Sequence, residues 1–173
     1  SAPGKAPEVQ DKVTDLLYAC QKAAVVQDTV AFEIVFSQIE ARYQSIVDGL
    51  GTHFDIHTPL QSVRHAIWEG ADADYAASRG EYLNGLILAD LLHSPFIDPA
   101  GGILFDANGN FDENGTQLRF SALLARHERG VIPGFYGVMP GGRIKTFSRG
   151  GSDITGAIVA RAVGADLYEN WTD

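Results

Sequence analysis

The feature that most constrains this chain is a change of apolar rhythm partway along it. Up to about residue 93, apolar side chains recur at three- and four-residue spacing, the period of one helix face. Val13, Leu16, Leu17, Cys20 and Ala24 predict a helix over 11–25, with Asp11 as its N-cap. Ile34, Val35, Ile39, Tyr43, Ile46 and Val47 predict a second over 32–50 with these residues inward, stopped by Gly51. A third covers 59–69, and a fourth runs from about 79 to 93 through Leu83, Leu86, Ile87 and Leu91. Beyond that point the apolar runs shorten and glycine pairs appear. Phe96-Ile97-Asp98 and Ile103-Leu104-Phe105 read as short strands, and Asn108-Gly109 and Asn114-Gly115 as tight turns. A helix is expected over 118–129. Two strands over 131–138 and 143–147 form a hairpin through Pro140-Gly141-Gly142. A last helix runs over 154–163 to Gly164, and a last strand over 167–172. Helices that lead, followed by helices mixed with strands, predict a layered α/β sandwich, not a barrel or a bundle.

The 173 residues suit one domain, with room for a small attached lobe. The net charge of −9 disfavours nonspecific nucleic-acid binding, yet leaves room for a local cationic pocket. No apolar run reaches the roughly 18 residues of a membrane span. The single cysteine, Cys20, excludes an internal disulfide and reads as a buried structural thiol in a reducing, cytoplasmic setting. The chain opens on Ser1-Ala2-Pro3-Gly4 without a methionine and closes on Asp173 directly after a strand-like run. Both ends are expected to be interior positions of a longer protein.

The strongest chemical signal is Phe147-Ser148-Arg149-Gly150-Gly151-Ser152-Asp153-Ile154-Thr155, a strand end, a glycine turn and a helix start. Paired glycines let backbone N–H groups approach a ligand, and a helix N-terminus adds about half a positive charge. Arg149 has the planar fork that grips a carboxylate or phosphate, and Asp153 suits an ammonium group. Such a set fits a zwitterionic amino acid; it also fits a plain turn in which Ser152 or Asp153 caps the helix. Ser78-Arg79-Gly80-Glu81 has capping-box spacing, with Ser78 as the cap and Glu81 in the first turn, either structural or facing a ligand. Thr14, in Lys12-Val13-Thr14-Asp15, is a hydroxyl donor for an anion or a solvated first-turn residue. Asp106, Asn108, Asn110 and Asp112 resemble a calcium loop, but Phe111 and Gln117 stand where glycine and glutamate are needed, so turns are expected. His53 and His57 lack a third ligand, and no protein metal site is assigned. Walker A and Rossmann fingerprints are absent from the sequence.

Arg149-Gly150-Gly151-Ser152-Asp153 followed by Asn170-Trp171-Thr172-Asp173 resembles the aspartokinases of the amino-acid kinase fold. Gly134-Phe135-Tyr136-Gly137, Gly141-Gly142-Arg143 and Gly164-Ala165-Asp166 fall in that family's order. So do Ser1-Ala2-Pro3-Gly4, Val13-Thr14-Asp15-Leu16-Leu17 and Gly80-Glu81-Tyr82-Leu83, so the likeness covers nearly the whole chain. It implies a three-layer α/β/α sandwich of the carbamate kinase-like type, incomplete at both ends. Residues 1–173 would be the amino-acid-binding portion of a catalytic domain. It also implies transfer of phosphate from ATP, with Mg²⁺, to the β-carboxylate of L-aspartate. That reaction is the first step of lysine, threonine and methionine biosynthesis. On this likeness Arg149, Gly150, Gly151, Ser152 and Asp153 contact aspartate, Thr14 and Glu81 line the same pocket, and Thr172 and Asp173 open the nucleotide segment. Arg149 and Asp153 carry the catalytic assignment, and the parent protein is expected to be a homo-oligomer. The family's N-terminal Lys-Phe-Gly-Gly loop is absent here, and Gly80-Glu81-Tyr82-Leu83-Asn84 stands where many members have Gly-Glu-Arg-Leu-Ser. The 173-residue piece alone is therefore expected to be inactive. A glutamate or acetylglutamate kinase, and a non-catalytic amino-acid-binding module, remain the alternatives.

Overall fold

The structure is a computed structural model that describes residues 1–6, 10–148 and 150–171. Arg149, Thr172 and Asp173, three of the candidate site residues, lie outside the described residues. The chain divides into two compact units, Ser1–His93 and Ser94–Asp173.

The first unit is helical: α1 (Val13–Val25), α2 (Thr29–Leu50), α3 (His57–Trp68) and α4 (Ala73–Leu91). All four expected helices are present, with shifted starts. α1 is preceded by Lys12, whose side chain makes no capping bond, so Asp11 is not the cap. α2 begins three residues earlier than the apolar pattern, because the Asp28 carboxylate accepts from the Ala31 N–H at 3.0 Å. Gly51, at φ 65, ends it as expected. Phe32, Phe36, Ile39, Tyr43 and Val47 form the inward face of α2, whereas Ile34, expected inward, is 59% exposed. Phe32 stacks on Phe36 and meets the edge of Trp68 on α3 at 5.1 Å. Each such buried aromatic contributes roughly 1.5–3 kcal/mol of burial.

α4 is the larger correction. It starts at Ala73, capped by Asp72 through the Tyr75 N–H, and not near Arg79. Ala76 through Glu81 are all buried. A helix enclosed around its circumference has no polar face, so its first turns show no apolar-polar period in the sequence.

The second unit carries a 3₁₀ turn (Pro99–Gly101), α5 (Glu113–Leu124), β1 (Tyr136–Val138), β2 (Ile144–Thr146) and α6 (Gly151–Val163). β1 and β2 pair antiparallel, Tyr136 opposite Thr146 and Val138 opposite Ile144. The turn between them is the expected hairpin, with Gly141 and Gly142 both at positive φ. The expected strands at 96–98 and 103–105 are isolated bridges: Phe96 with Val131 and Leu104 with Val138, both parallel, and Phe105 with Phe111, antiparallel. α5 begins five residues earlier than expected, because Asp112 caps it through the Gly115 N–H. The expected last strand is not formed over 167–171: none of the described residues pairs with it, and Trp171 is 86% exposed. The core of this unit gathers Ile97, Ile103, Phe105, Phe120, Leu124 and Met139. Helices in the first unit and a small sheet with helices in the second make this an α/β chain. Among the described residues no helix is long and apolar enough to cross a membrane.

Candidate functional site

The glycine loop is where the second unit's strand meets its last helix. Phe147, just past β2, donates its N–H to the Phe135 carbonyl at 2.9 Å. Gly150 then turns the chain at φ 57 and ψ 24, a left-handed conformation that glycine accepts without a Cβ penalty. α6 starts at once, on Gly151, and its N-cap makes no side-chain capping bond. This corrects the plain reading of the sequence, since neither Ser152 nor Asp153 is the cap; both lie within the first turn. Gly151 is also required by packing: a Cβ there would lie 2.5 Å from Phe135 Cβ. Ser152 is half-buried and Asp153 exposed, and Asp153 Oδ1 accepts from Asn170 Nδ2 at 3.2 Å. The helix start carries the partial positive charge of its N–H groups beside a side-chain-free backbone, a set suited to an anionic oxygen.

Thr14 and Glu81 belong to the first unit. Thr14 is half-buried in the first turn of α1. Glu81 is 7% exposed and sits in the middle of α4, not at its start, so the capping box is overturned. Ser78 instead donates its hydroxyl to the Tyr75 carbonyl one turn back, at 2.7 Å. The two helices meet at Gly80, where an added Cβ would lie 3.5 Å from Val13 Cγ1 and from Leu17 Cδ1. The leading segment runs over the same spot. Asn84 Nδ2 donates to the Ser1 carbonyl at 2.8 Å, Ala2 covers Gly80, and the Pro3 carbonyl accepts from the Val13 N–H at 3.2 Å. The turns that hold Thr14 and Glu81 are thus assembled around Ser1, Ala2 and Pro3.

Two groups near Glu81 escaped the sequence reading. Tyr43, read there as core, is fully buried and donates its hydroxyl to the Gly80 carbonyl at 2.6 Å. Burial raises its pKa well above the ordinary phenol value, and the Glu81 charge adds to that; Arg42 opposes it. Arg79 is buried with its guanidinium over the rings of Tyr75 and Tyr82, at 4.6 and 4.4 Å, and its Nε donates to Ser78 Oγ. Tyrosines four before and three after an arginine on a helix were the available signal. Cys20 is buried as expected, and burial, then the Glu33 charge, push its thiol up to about 12, which leaves no thiolate at neutral pH. Asp106 accepts from the Asn108 and Asn110 N–H groups and from Asn110 Nδ2, which makes it the knot of a turn.

With this geometry, residues 13–173 match the model of the amino acid kinase family, and the chain belongs to that family. Within it, the chain is similar to aspartokinases. It is 32% identical to Aspartokinase 3 of Bacillus subtilis along its whole length, which is 41% of that protein. It superposes on the crystal structure of Clostridium acetobutylicum aspartate kinase with a TM-score of 0.92 and 49% identity, covering all of this chain and 40% of that one. Escherichia coli aspartokinase III, solved in complex with aspartate and ADP, shares the fold at a TM-score of 0.73 and 22% identity, over 88% of this chain and 38% of that one. The chain therefore spans about two fifths of the length of these relatives, and the likeness supports the amino-acid kinase fold expected from the sequence.

Proposed function

We propose that the chain is the acceptor-binding portion, residues 1–173, of an aspartate kinase that acts in the cytoplasm. An oxygen of the L-aspartate β-carboxylate attacks the γ-phosphorus of ATP. The bond from that phosphorus to the β,γ-bridging oxygen breaks, and 4-phospho-L-aspartate and ADP result. The observation that carries this is the start of α6: Gly150 in a left-handed conformation, Gly151 with no space for a side chain, and no capping side chain. The choice of aspartate as the acceptor rests on the likeness to aspartokinases.

Phosphoryl transfer asks the protein for positioning and charge balance more than for covalent help. Arg149 and the N–H groups of Gly151 and Ser152 hold carboxylate oxygens. Asp153 accepts from the ammonium, exchanging the Asn170 amide for it. The likeness to aspartokinases also assigns Thr14 and Glu81 to aspartate binding and Thr172 and Asp173 to the start of the nucleotide side. The chemistry Mg²⁺ would supply is charge that offsets the nucleotide phosphates. Among the described residues no group of three His, Cys, Asp or Glu is placed to hold a metal. The full-length protein is a homo-oligomer in this reading, and the 173-residue portion alone is inactive.

The test is acyl-phosphate trapping. The full-length protein with ATP, Mg²⁺ and hydroxylamine is expected to form the hydroxamate from aspartate. Product from glutamate or acetylglutamate and none from aspartate would overturn the reading, and no product from any of them would favour a binding module.

A further inference from the structure

Phe135 is the backbone anomaly of the second unit. It holds φ 64, a left-handed conformation that a bulky residue keeps only where its surroundings impose it. Gln27 and His93 share the sign, but each follows the end of a helix, where a left-handed residue is a usual stop. Phe135 instead precedes β1. Three contacts hold it. Its N–H donates to Thr155 Oγ1 at 2.9 Å, its carbonyl accepts from the Phe147 N–H at 2.9 Å, and its Cα and Cβ press on the Cβ-free face of Gly151.

Thr155 is 3% exposed, and the same hydroxyl donates to the Gly151 carbonyl at 2.8 Å. A threonine bonded one turn back along its own helix is common. Accepting, in addition, the amide of a residue 20 positions away is a specific tie. Phe147 and Gly151 flank the glycine loop, and Phe135 touches both. One buried hydroxyl therefore links the turn before β1 to the first residue of α6.

We infer that Thr155 is the positioning residue of the glycine loop: its hydroxyl locks the left-handed Phe135 onto the first turn of α6 and so keeps the loop backbone open to an anionic acceptor. The inference rests on the proposed reading of that loop as the acceptor site. Thr155 does not touch the acceptor; it acts through Phe135 and Gly151.

Thr155→Val keeps the branched shape and removes the hydroxyl, and Thr155→Ser keeps the hydroxyl. In the full-length protein, Thr155→Val is expected to raise KM for aspartate by about tenfold or more, because a small displacement of positioning groups is costly. KM for ATP is expected to stay within about twofold, and Thr155→Ser to restore the aspartate KM. Hydrogen exchange gives a reading independent of activity. The amides of Phe135, Phe147 and Ile154, each hydrogen-bonded at this tie, are expected to exchange about tenfold faster in Thr155→Val, with those of α5 unchanged and Thr155→Ser like wild type. Thr155→Ala gives the same reading should valine prevent folding. Wild-type exchange at those three amides, or an unchanged aspartate KM in Thr155→Val, would overturn the inference. Absence of aspartate phosphorylation in the wild type would overturn the functional reading instead, and the exchange result would still decide the role of Thr155.

Discussion

The starts of α2 and α6 meet the same need in opposite ways. α2 opens on Asp28, whose carboxylate takes the Ala31 amide, and α4 and α5 do likewise with Asp72 and Asp112. α6 opens on Gly150, which has no side chain to offer. A carboxylate at an N-cap satisfies one N–H and offsets the positive helix end. Glycine leaves both for an arriving anion. α1 also starts without a side-chain cap, after Lys12, so what sets the start of α6 apart is the left-handed glycine before it and the lack of room for a side chain at Gly151. That combination supports the acceptor-binding reading beside the residue types of the loop.

The comparison breaks most readily at Arg149. In the full-length protein, Arg149→Ala is expected to lower kcat/KM for aspartate about 100-fold, near 3 kcal/mol for a bidentate charged contact. The unfolding midpoint should not move. A loss smaller than about threefold would take the guanidinium out of the site. Gly151→Ala comes next. Its Cβ would sit 2.5 Å from Phe135 Cβ, so a loss of about 1–3 kcal/mol in urea unfolding is expected. A neutral result would mean that the Phe135 turn yields, and the loop with it. The smallest effect is at the other helix. Asp28→Ala should cost about 1 kcal/mol of stability and leave the aspartate KM unchanged. A shift in KM would show that a capped start is coupled to the site after all.

Much of the fold was legible because burial is one-sided in α1, α2 and α3, and one-sided burial writes a period into the sequence. α4 hid its first turns because Ala76, Ala77 and Ser78 are small and fully buried, with no polar face to contrast. The same enclosure misplaced Glu81, since a carboxylate near a serine looked like a helix start. The strands were overestimated because apolar β-formers mark a willingness to pair, while pairing itself depends on a distant partner. Of the candidate site, the glycine turn and the helix start after it were legible from their own residues. Thr155 and Tyr43 were not, because each acts by a hydrogen bond to a backbone group far along the chain, 20 and 37 positions away. Nothing in local spacing records such a bond.

Gly80 has a consequence for what substitution the first unit can absorb. Its vacant Cβ direction is a keyhole into which the Ala2 methyl seats, since a carbon there would come within 2.8 Å of it. Any side chain at position 80 evicts Ala2, and Pro3 moves with it, away from the Val13 amide that opens α1. The resting place of the leading segment thus depends on an atom that another helix omits as much as on the bonds from Asn84 and Val13.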